Sequence, residues 1–238
     1  MHSLLIPFPV PPWRTDSVSE LRIDVNLPSE SIERDLEILG ARLKRPGDPL
    51  YKLPMLCLDH PGLTFRYRES DGEHYVYIED HHQSRLVGYI VFNRLIELNR
   101  QASPYLHAPH AKLASDYQRL GIASIVYRWW LDAGNCLISG ARQSVGANIL
   151  WHKLSRDYSL LYADVRNKQL SYLGTQVSEV RRQDLHTRML MLGRGRTLEQ
   201  LTEQTGMLNA VEISIKPLPV ALKDAAIWLR SVLARQRK

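Results

Sequence analysis

The chain has 238 residues and a mass of 27.4 kDa, a length that suits one large domain or two small ones. Hydrophobic residues make up 44% of it and charged residues 24%, which disfavours a disordered, collagen-like or coiled-coil protein. The net charge of +6 is unevenly distributed, because residues 1–99 carry −4 while residues 100–174 and 175–238 carry +5 each. This basic, arginine-rich C-terminal half favours a polyanionic partner such as a phosphate-bearing cofactor, a nucleic acid or an acidic protein, although a solvated basic surface gives the same pattern.

The sequence predicts a soluble protein of a reducing compartment, which we expect to be the cytoplasm. No apolar run approaches the roughly 20 residues that a membrane-spanning helix needs. The first nine residues contain no Lys or Arg and are interrupted by Pro7 and Pro9, unlike a secretory signal. Cys57 and Cys136 are far apart, which excludes a disulfide framework and a paired-cysteine metal motif. We therefore expect no membrane segment and no metal centre.

The N-terminal part of the chain predicts an irregular arm, one helix and three strands. Residues 1–28 contain five prolines and little periodicity. A helix capped by Ser29 or Ser31 follows and ends at the sequence Pro-Gly-Asp-Pro of residues 46–49. Its apolar positions have helical spacing: Ile32, Leu36, Leu39 and Leu43. Alternating residues then predict strands over 63–69, 74–79 and 85–95, the first two joined by a turn at 70–73.

The rest of the chain alternates helices with strands. We predict strands over 104–115 and 137–139, a hairpin formed by 158–165 and 169–174, and a further strand over 186–192. Helices are predicted over 122–133, 145–156, from Thr197 to Gly206 with Gln200 at capping-box spacing, and over 218–235. This order indicates an α/β (α+β) fold with a mixed, mostly antiparallel central sheet flanked by helices and an added C-terminal helical segment. The predicted division is an arm and helix over 1–59, a core over 60–174 and an extension over 175–238.

Residues 113–123, with the sequence LASDYQRLGIA, carry the clearest chemical signal. They predict a strand end, a polar turn and a glycine at the start of a helix. Exposed backbone N–H groups and the positive end of the helix together form an anion site. Gly121 and Ala123 have almost no side chain, so a pyrophosphate could approach the main chain closely.

This segment resembles motif A of the GNAT superfamily of N-acetyltransferases, whose signature is Q/R-x-x-G-x-G/A between a strand and a helix. Gln118, Gly121 and Ala123 match the signature. A helix further on resembles the family's N-x-x-A-x-x-L-Y-x-K-x-G-F pattern at Ala147, Leu150 and Lys153. It departs from that pattern at Ser144, Trp151, Ser155 and Arg156. The resemblance covers residues 85–165 well, residues 60–84 loosely and neither end of the chain.

The resemblance implies a GNAT-like fold with acetyl-CoA, or another acyl-CoA, as cosubstrate. The cosubstrate would lie where the strand ending near Ser115 diverges from the strand at 137–139. The main chain of residues 119–123 would hold the pyrophosphate, and Leu113 and Ser115 would pair with the pantetheine amides. The implied cofactor-binding residues are Leu113, Ser115, Gln118, Arg119, Leu120, Gly121, Ile122 and Ala123.

Amine acylation needs a base, because an ammonium group cannot attack a thioester. His107 occupies about the place where the family has a carboxylate base, and His110 follows it. The family's tyrosine acid is replaced by Trp151, whose indole N–H is too weak an acid, so Tyr158 is the best substitute. The alternative interpretation is that all three predicted catalytic residues (His107, His110 and Tyr158) are packing or surface residues.

Three functions are compatible with the sequence. The first is an acyl-CoA-dependent N-acyltransferase in which an amine attacks the thioester directly. The second is a phage-type protein of the same fold that modifies DNA bases, which the basic C-terminal half would suit. The third is a catalytically inactive binding or effector protein, which Trp151 and the lost Gly-Phe pair favour. The acceptor amine stays open among proteins, small molecules and nucleobases, and so does the oligomeric state.

Overall fold

The structure, a computed structural model, describes residues 29–209, and its elements follow the predicted order. The helices are α1 (Ser29–Leu43), α2 (Ile122–Asp132), α3 (Val145–Leu154), α4 (Glu179–Gln183) and α5 (Leu198–Thr205). The strands are β1 (Met55–Leu56), β2 (Leu63–Ser70), β3 (Glu73–Asp80), β4 (Arg85–Arg94), β5 (Leu106–Leu113), β6 (Cys136–Ile138), β7 (Leu160–Arg166), β8 (Gln169–Gly174), β9 (Thr187–Met191) and β10 (Leu208–Asn209). The predicted arm 1–28 and the predicted helix 218–235 lie outside the described residues.

The described strands form one sheet in the order β1-β2-β3-β4-β5-β6-β9-β7-β8-β10. Neighbouring strands are antiparallel except for two parallel pairs, β5 with β6 and β8 with β10. The predicted mixed, mostly antiparallel sheet flanked by helices is therefore confirmed. The predicted hairpin of β7 and β8 is also present, with the tight turn placing Asn167 and Lys168 at positive φ.

The strand between β6 and β7 is β9, which comes later in the chain than both. Leu137 and Ile138 of β6 pair with one edge of β9, and Leu160 to Asp164 of β7 pair with the other. β9 comes from residues that the sequence analysis assigns to the extension over 175–238. Along the chain, β8 and α4 lie between β7 and β9.

The helices α1 and α2 cover opposite faces of the sheet. Trp130 of α2 stacks on Phe92 of β4 with ring centroids 4.3 Å apart. On the other face, Lys112 of β5 donates to Asp35 of α1 at 3.0 Å. Because successive residues of a strand point to opposite faces, this arrangement decides which face each β5 side chain occupies. None of the helices within residues 29–209 is long and apolar enough to cross a membrane.

Candidate active site

The predicted opening between two strands is present where β5 and β6 diverge. Only Leu106 with Cys136 and His107 with Leu137 form parallel pairs between the two described strands. β6 ends one residue later, whereas β5 continues to Leu113 with β4 along its other edge. The free edge of β5 therefore runs for about 20 Å at about 3.3 Å per residue. Main-chain groups along this edge are available to an extended ligand with amide groups of its own.

The loop after β5 is fixed to the sheet at three points. The Ala114 N–H donates to the Val87 carbonyl at 2.9 Å, and Ala114 is fully buried. The Tyr117 hydroxyl donates to Asp80 Oδ2 at 2.5 Å, and this hydrogen bond lowers the pKa of the Asp80 carboxyl. The Gln118 amide donates to the Leu113 carbonyl at 3.1 Å, which closes the loop onto the end of the strand. These contacts give the motif glutamine a structural role.

Gly121 begins α2 in a left-handed conformation, with φ 85° and ψ −3°. A side chain there would be strained, although a Cβ atom would meet nothing within 4 Å. No side chain of the described residues caps the helix, and its first turn contains no acidic residue. The unpaired N–H groups and the positive end of the helix dipole thus face open space. An anion such as a pyrophosphate fits this arrangement.

The other predicted cofactor-binding residues surround that space in different ways. Arg119 has φ 63°, so the loop turns sharply just before the glycine. Leu120 is exposed, whereas Ile122 is buried and anchors the first turn of α2 in the core. Ser115 begins the short 3-10 helix of the loop. The eight predicted residues therefore extend from the last residue of β5, through the loop, to the first turn of α2.

His107 lies at the closed end of the opening, on the face covered by α2. Its side chain is buried, its Nε2 is 3.3 Å from the Gly72 carbonyl, and its ring centroid is 5.2 Å from that of Trp130. Burial, with a contribution from nearby His74, lowers the pKa of His107 to about 4. The imidazole is therefore neutral at pH 7, and its lowered pKa makes it a weaker base than an ordinary histidine.

The remaining two predicted catalytic residues lie elsewhere. His110 is on the opposite face of β5 from His107, and burial lowers its pKa to about 4 as well. Tyr158 donates to Asp132 Oδ1 at 2.8 Å, near the C-terminal end of α2. Burial and this hydrogen bond raise the pKa of Tyr158, which makes it a weaker acid. The structure does not bring the three together, and their catalytic roles stay predictions.

A cleft of about 370 Å³ lies beside the opening, and the sequence did not reveal it. It lies between the tip of β6, the first turns of α3 and the strands β7 and β9, with Ser139, Ser144, Tyr162 and Met189 among its lining residues. Ser139 Oγ accepts from the Met189 N–H at 3.0 Å, and Ser144 Oγ accepts from the Ala147 N–H at the start of α3. Both serines therefore have structural partners. Most of the cleft is lined by the single segment 139–152, and residues of β7, α4 and β9 complete it.

Three arginines of the basic stretch between residues 181 and 196 are used within the fold. Arg188 is buried and donates to Glu97 at 2.9 Å. Arg194 forms an ion pair with Asp132 at 2.7 Å, and Arg196 donates to a main-chain carbonyl at 3.0 Å. The predicted nucleic-acid contact through the basic half stays a prediction.

No family model matches the sequence, and no curated protein matches it. Among solved structures, the ribosomal-protein-S5-alanine acetyltransferase from Vibrio fischeri is 10% identical, over 60% of this chain and 99% of its own, with a TM-score of 0.36. The GNAT superfamily phosphinothricin acetyltransferase from Sinorhizobium meliloti, solved with AcCoA, is 16% identical, over 71% and 88%, with a TM-score of 0.32. A cAMP-binding acyltransferase from Mycobacterium smegmatis is 10% identical, over 75% and 60%, with a TM-score of 0.38.

The topology of the described residues has the features that the sequence resemblance implies. A mostly antiparallel sheet contains one central parallel pair that diverges, and a helix with the glycine motif at its start follows the first of those strands. The fold is GNAT-like. Motif A lies at the predicted strand-to-helix turn, and the helix that carries Trp151 packs beside α2.

Proposed function

We propose that this protein is a divergent GNAT-superfamily acyltransferase that transfers an acyl group from acyl-CoA, with acetyl-CoA as the expected donor, to an amine. The observation that carries the proposal is the uncapped start of α2, where Gly121 opens a space for an anion at the end of the free β5 edge. A pyrophosphate at the helix start would place an extended thiol arm along β5. The free β5 edge and the start of α2 could bind one ligand, because a single short loop joins them.

The proposed reaction is a direct transfer. The neutral amine attacks the thioester carbonyl carbon, the C–S bond breaks, and the amine gives up a proton while the thiolate of CoA takes one. Holding both reactants in one site lowers the entropic cost of this bimolecular step. Main-chain groups along the β5 edge would orient the thioester before the attack.

His107 is the base that we retain in the proposal, because it lies at the closed end of the opening, on the face covered by α2. The ring of His74 lies 5.2 Å from that of His107, and His74 is hydrogen-bonded to the Tyr67 hydroxyl at 2.7 Å. A His107→Gln variant is expected to lose turnover while it still binds acetyl-CoA. Equal loss of binding would assign His107 to the structure of the opening instead.

The decisive test is calorimetric titration of acetyl-CoA against the wild type and the Gly121→Glu variant. Glutamate adds bulk and negative charge where the pyrophosphate would lie, so we expect binding to be lost. Gly47→Glu is the matched control, because Gly47 has φ 86° in the turn after α1 and a Cβ there also meets nothing within 4 Å. Both variants carry the same backbone strain and the same added charge.

Binding by the wild type and the control but not by the Gly121 variant would support the proposal. Binding that survives in the Gly121 variant would place the donor elsewhere. A wild type that does not bind acetyl-CoA, malonyl-CoA or a longer acyl-CoA would overturn the proposal.

A further inference from the structure

The cleft beside α3 lies at the same edge of the sheet as the motif loop. β5 and β6 are parallel, so their carboxyl ends point the same way, and ligands of such sheets bind outside those ends. The motif loop follows β5, and the cleft begins at Ser139, directly after β6. The strand that forms one side of the opening therefore leads directly into the cleft. The cleft has a volume of about 370 Å³, which is sufficient for a small molecule.

The lining of the cleft contains one cation, Arg182, together with polar donors, and it contains no carboxylate among the described residues. Arg182 of α4 and His152 of α3 both contribute, whereas the described lining includes no Asp or Glu. Arg182 has only a weak ion pair with Glu179, at 3.7 Å on the surface, so its guanidinium can turn to a ligand. A polycationic amine would find no counter-charge here.

Two buried polar atoms beside the cleft lack a hydrogen-bond partner within residues 29–209. They are Gln143 Nε2, which is a donor, and Thr187 Oγ1, which can donate. Gln143 is held in place because its other amide atom, Oε1, accepts from Asn148 at 3.0 Å. Unpartnered buried donors are rare and costly in folded proteins. Both residues line the cleft, so these two donors lie close to any ligand that binds there.

The rim of the cleft is apolar. Val145 and Ile149 lie one turn apart on α3, line the cleft, and are both exposed. The cleft therefore combines polar donors with exposed aliphatic side chains.

Building on the proposed acyl transfer, we propose that this cleft binds the acceptor, and that the acceptor is a small amine that carries an acidic group and an aliphatic part. The acidic group meets Arg182, and the aliphatic part packs on Val145 and Ile149. Positive charge close to the amine also lowers the pKa of its ammonium form, which favours the neutral nucleophile.

The test uses three matched probes that share one aliphatic group: L-leucine, L-leucinamide and 3-methylbutylamine. Saturation-transfer NMR in the presence of CoA measures the binding of each, with spermidine as the polycationic comparison. We expect L-leucine to bind about tenfold more tightly than the amide, the size of one charge-assisted hydrogen bond. Intrinsic reactivity would favour L-leucinamide instead, because a larger fraction of its amine is neutral at a given pH. A preference for L-leucine therefore reports recognition of the carboxylate.

The variants are Arg182→Gln and the neighbouring control Arg181→Gln, which lies outside the lining. The preference for the carboxylate should disappear in the first and persist in the second. Equal binding of L-leucine and its amide, no binding of either, or tighter binding of spermidine would overturn the proposal. A loss of acetyl-CoA affinity in Arg182→Gln would assign the cleft to the donor and overturn it too. Failure of acetyl-CoA binding by the wild type is a separate result that concerns the proposed function alone.

Discussion

Burial of an imidazole makes the stability of this fold depend on pH. Burial and nearby His74 lower the pKa of His107 from 6.5 to about 4 in the folded protein. The unfolded chain therefore binds more protons than the folded one between these two values, and stability rises with pH across that window. The contribution of His107 is complete above about pH 6.5, falls as the pH decreases toward 4, and levels off below it.

The size of this effect follows from the two pKa values. A difference of about 2.5 pKa units corresponds to about 3 kcal/mol over the whole window. About 2 kcal/mol of it is lost between pH 7 and pH 5. His107→Gln removes the titrating group and keeps a side-chain N–H for the Gly72 carbonyl, which the imidazole faces at 3.3 Å. The variant should therefore lose about 2 kcal/mol of the pH dependence in this interval.

Urea unfolding followed by tryptophan fluorescence measures the free energy of unfolding and its dependence on pH. The free energy of unfolding is determined at several values between pH 7.5 and pH 4, for the wild type and the variant. His110→Gln is a useful companion, because His110 has a similarly low pKa but lies on the other face of β5, so the two effects should add. If the free energy of unfolding of His107→Gln depends on pH as steeply as that of the wild type, burial does not lower the pKa of His107 and the argument is refuted.

Two further predictions concern packing and a buried charge. Gly193→Ala should destabilise the protein by about 3 kcal/mol, because a Cβ there lies 2.4 Å from main-chain atoms of the turn after α2. The control Gly195→Ala places its Cβ in open space and should cost only about 1 kcal/mol. Equal melting temperatures of the two variants would contradict this prediction. Glu97→Gln should lower the free energy of unfolding in urea by about 2 kcal/mol, because it leaves the buried Arg188 guanidinium without its carboxylate. Because the pair is buried, the loss should depend little on salt. A loss below about 0.5 kcal/mol would show that the carbonyl contacts of Arg188 are enough to stabilise its charge.

The sequence predicted those elements that are specified by local patterns. The turn at Asp71 and Gly72 joins β2 to β3 as expected, because both residues adopt the positive φ that such a turn requires. The capping box of Thr197 and Gln200 begins α5, and Gly206 ends it in a left-handed conformation. The motif loop is predictable for the same reason, since strand end, glycine and helix start are adjacent in sequence.

Features that depend on distant residues could not be predicted in this way. The two-residue strands β1 and β10 and the short helix α4 have too few residues to show a period. The position of β9 between β6 and β7 depends on pairing that no local pattern specifies. The cleft was missed because the residues that complete it, on β7, α4 and β9, meet the segment 139–152 only in the folded chain. Arg188 belongs to the basic C-terminal half of the sequence, but it is buried and paired with Glu97.

The late position of β9 in the chain has a consequence for biosynthesis. Until residue 191 has left the ribosome, β6 and β7 have no strand between them, and each presents an unpaired edge to solvent. The hairpin of β7 and β8 can form early, because its contacts are local, but it joins the rest of the sheet only through β9. Translation must therefore pass residue 191 before the two halves of the sheet become one. Pauses in translation before that residue would prolong the period in which both edges are open to other chains.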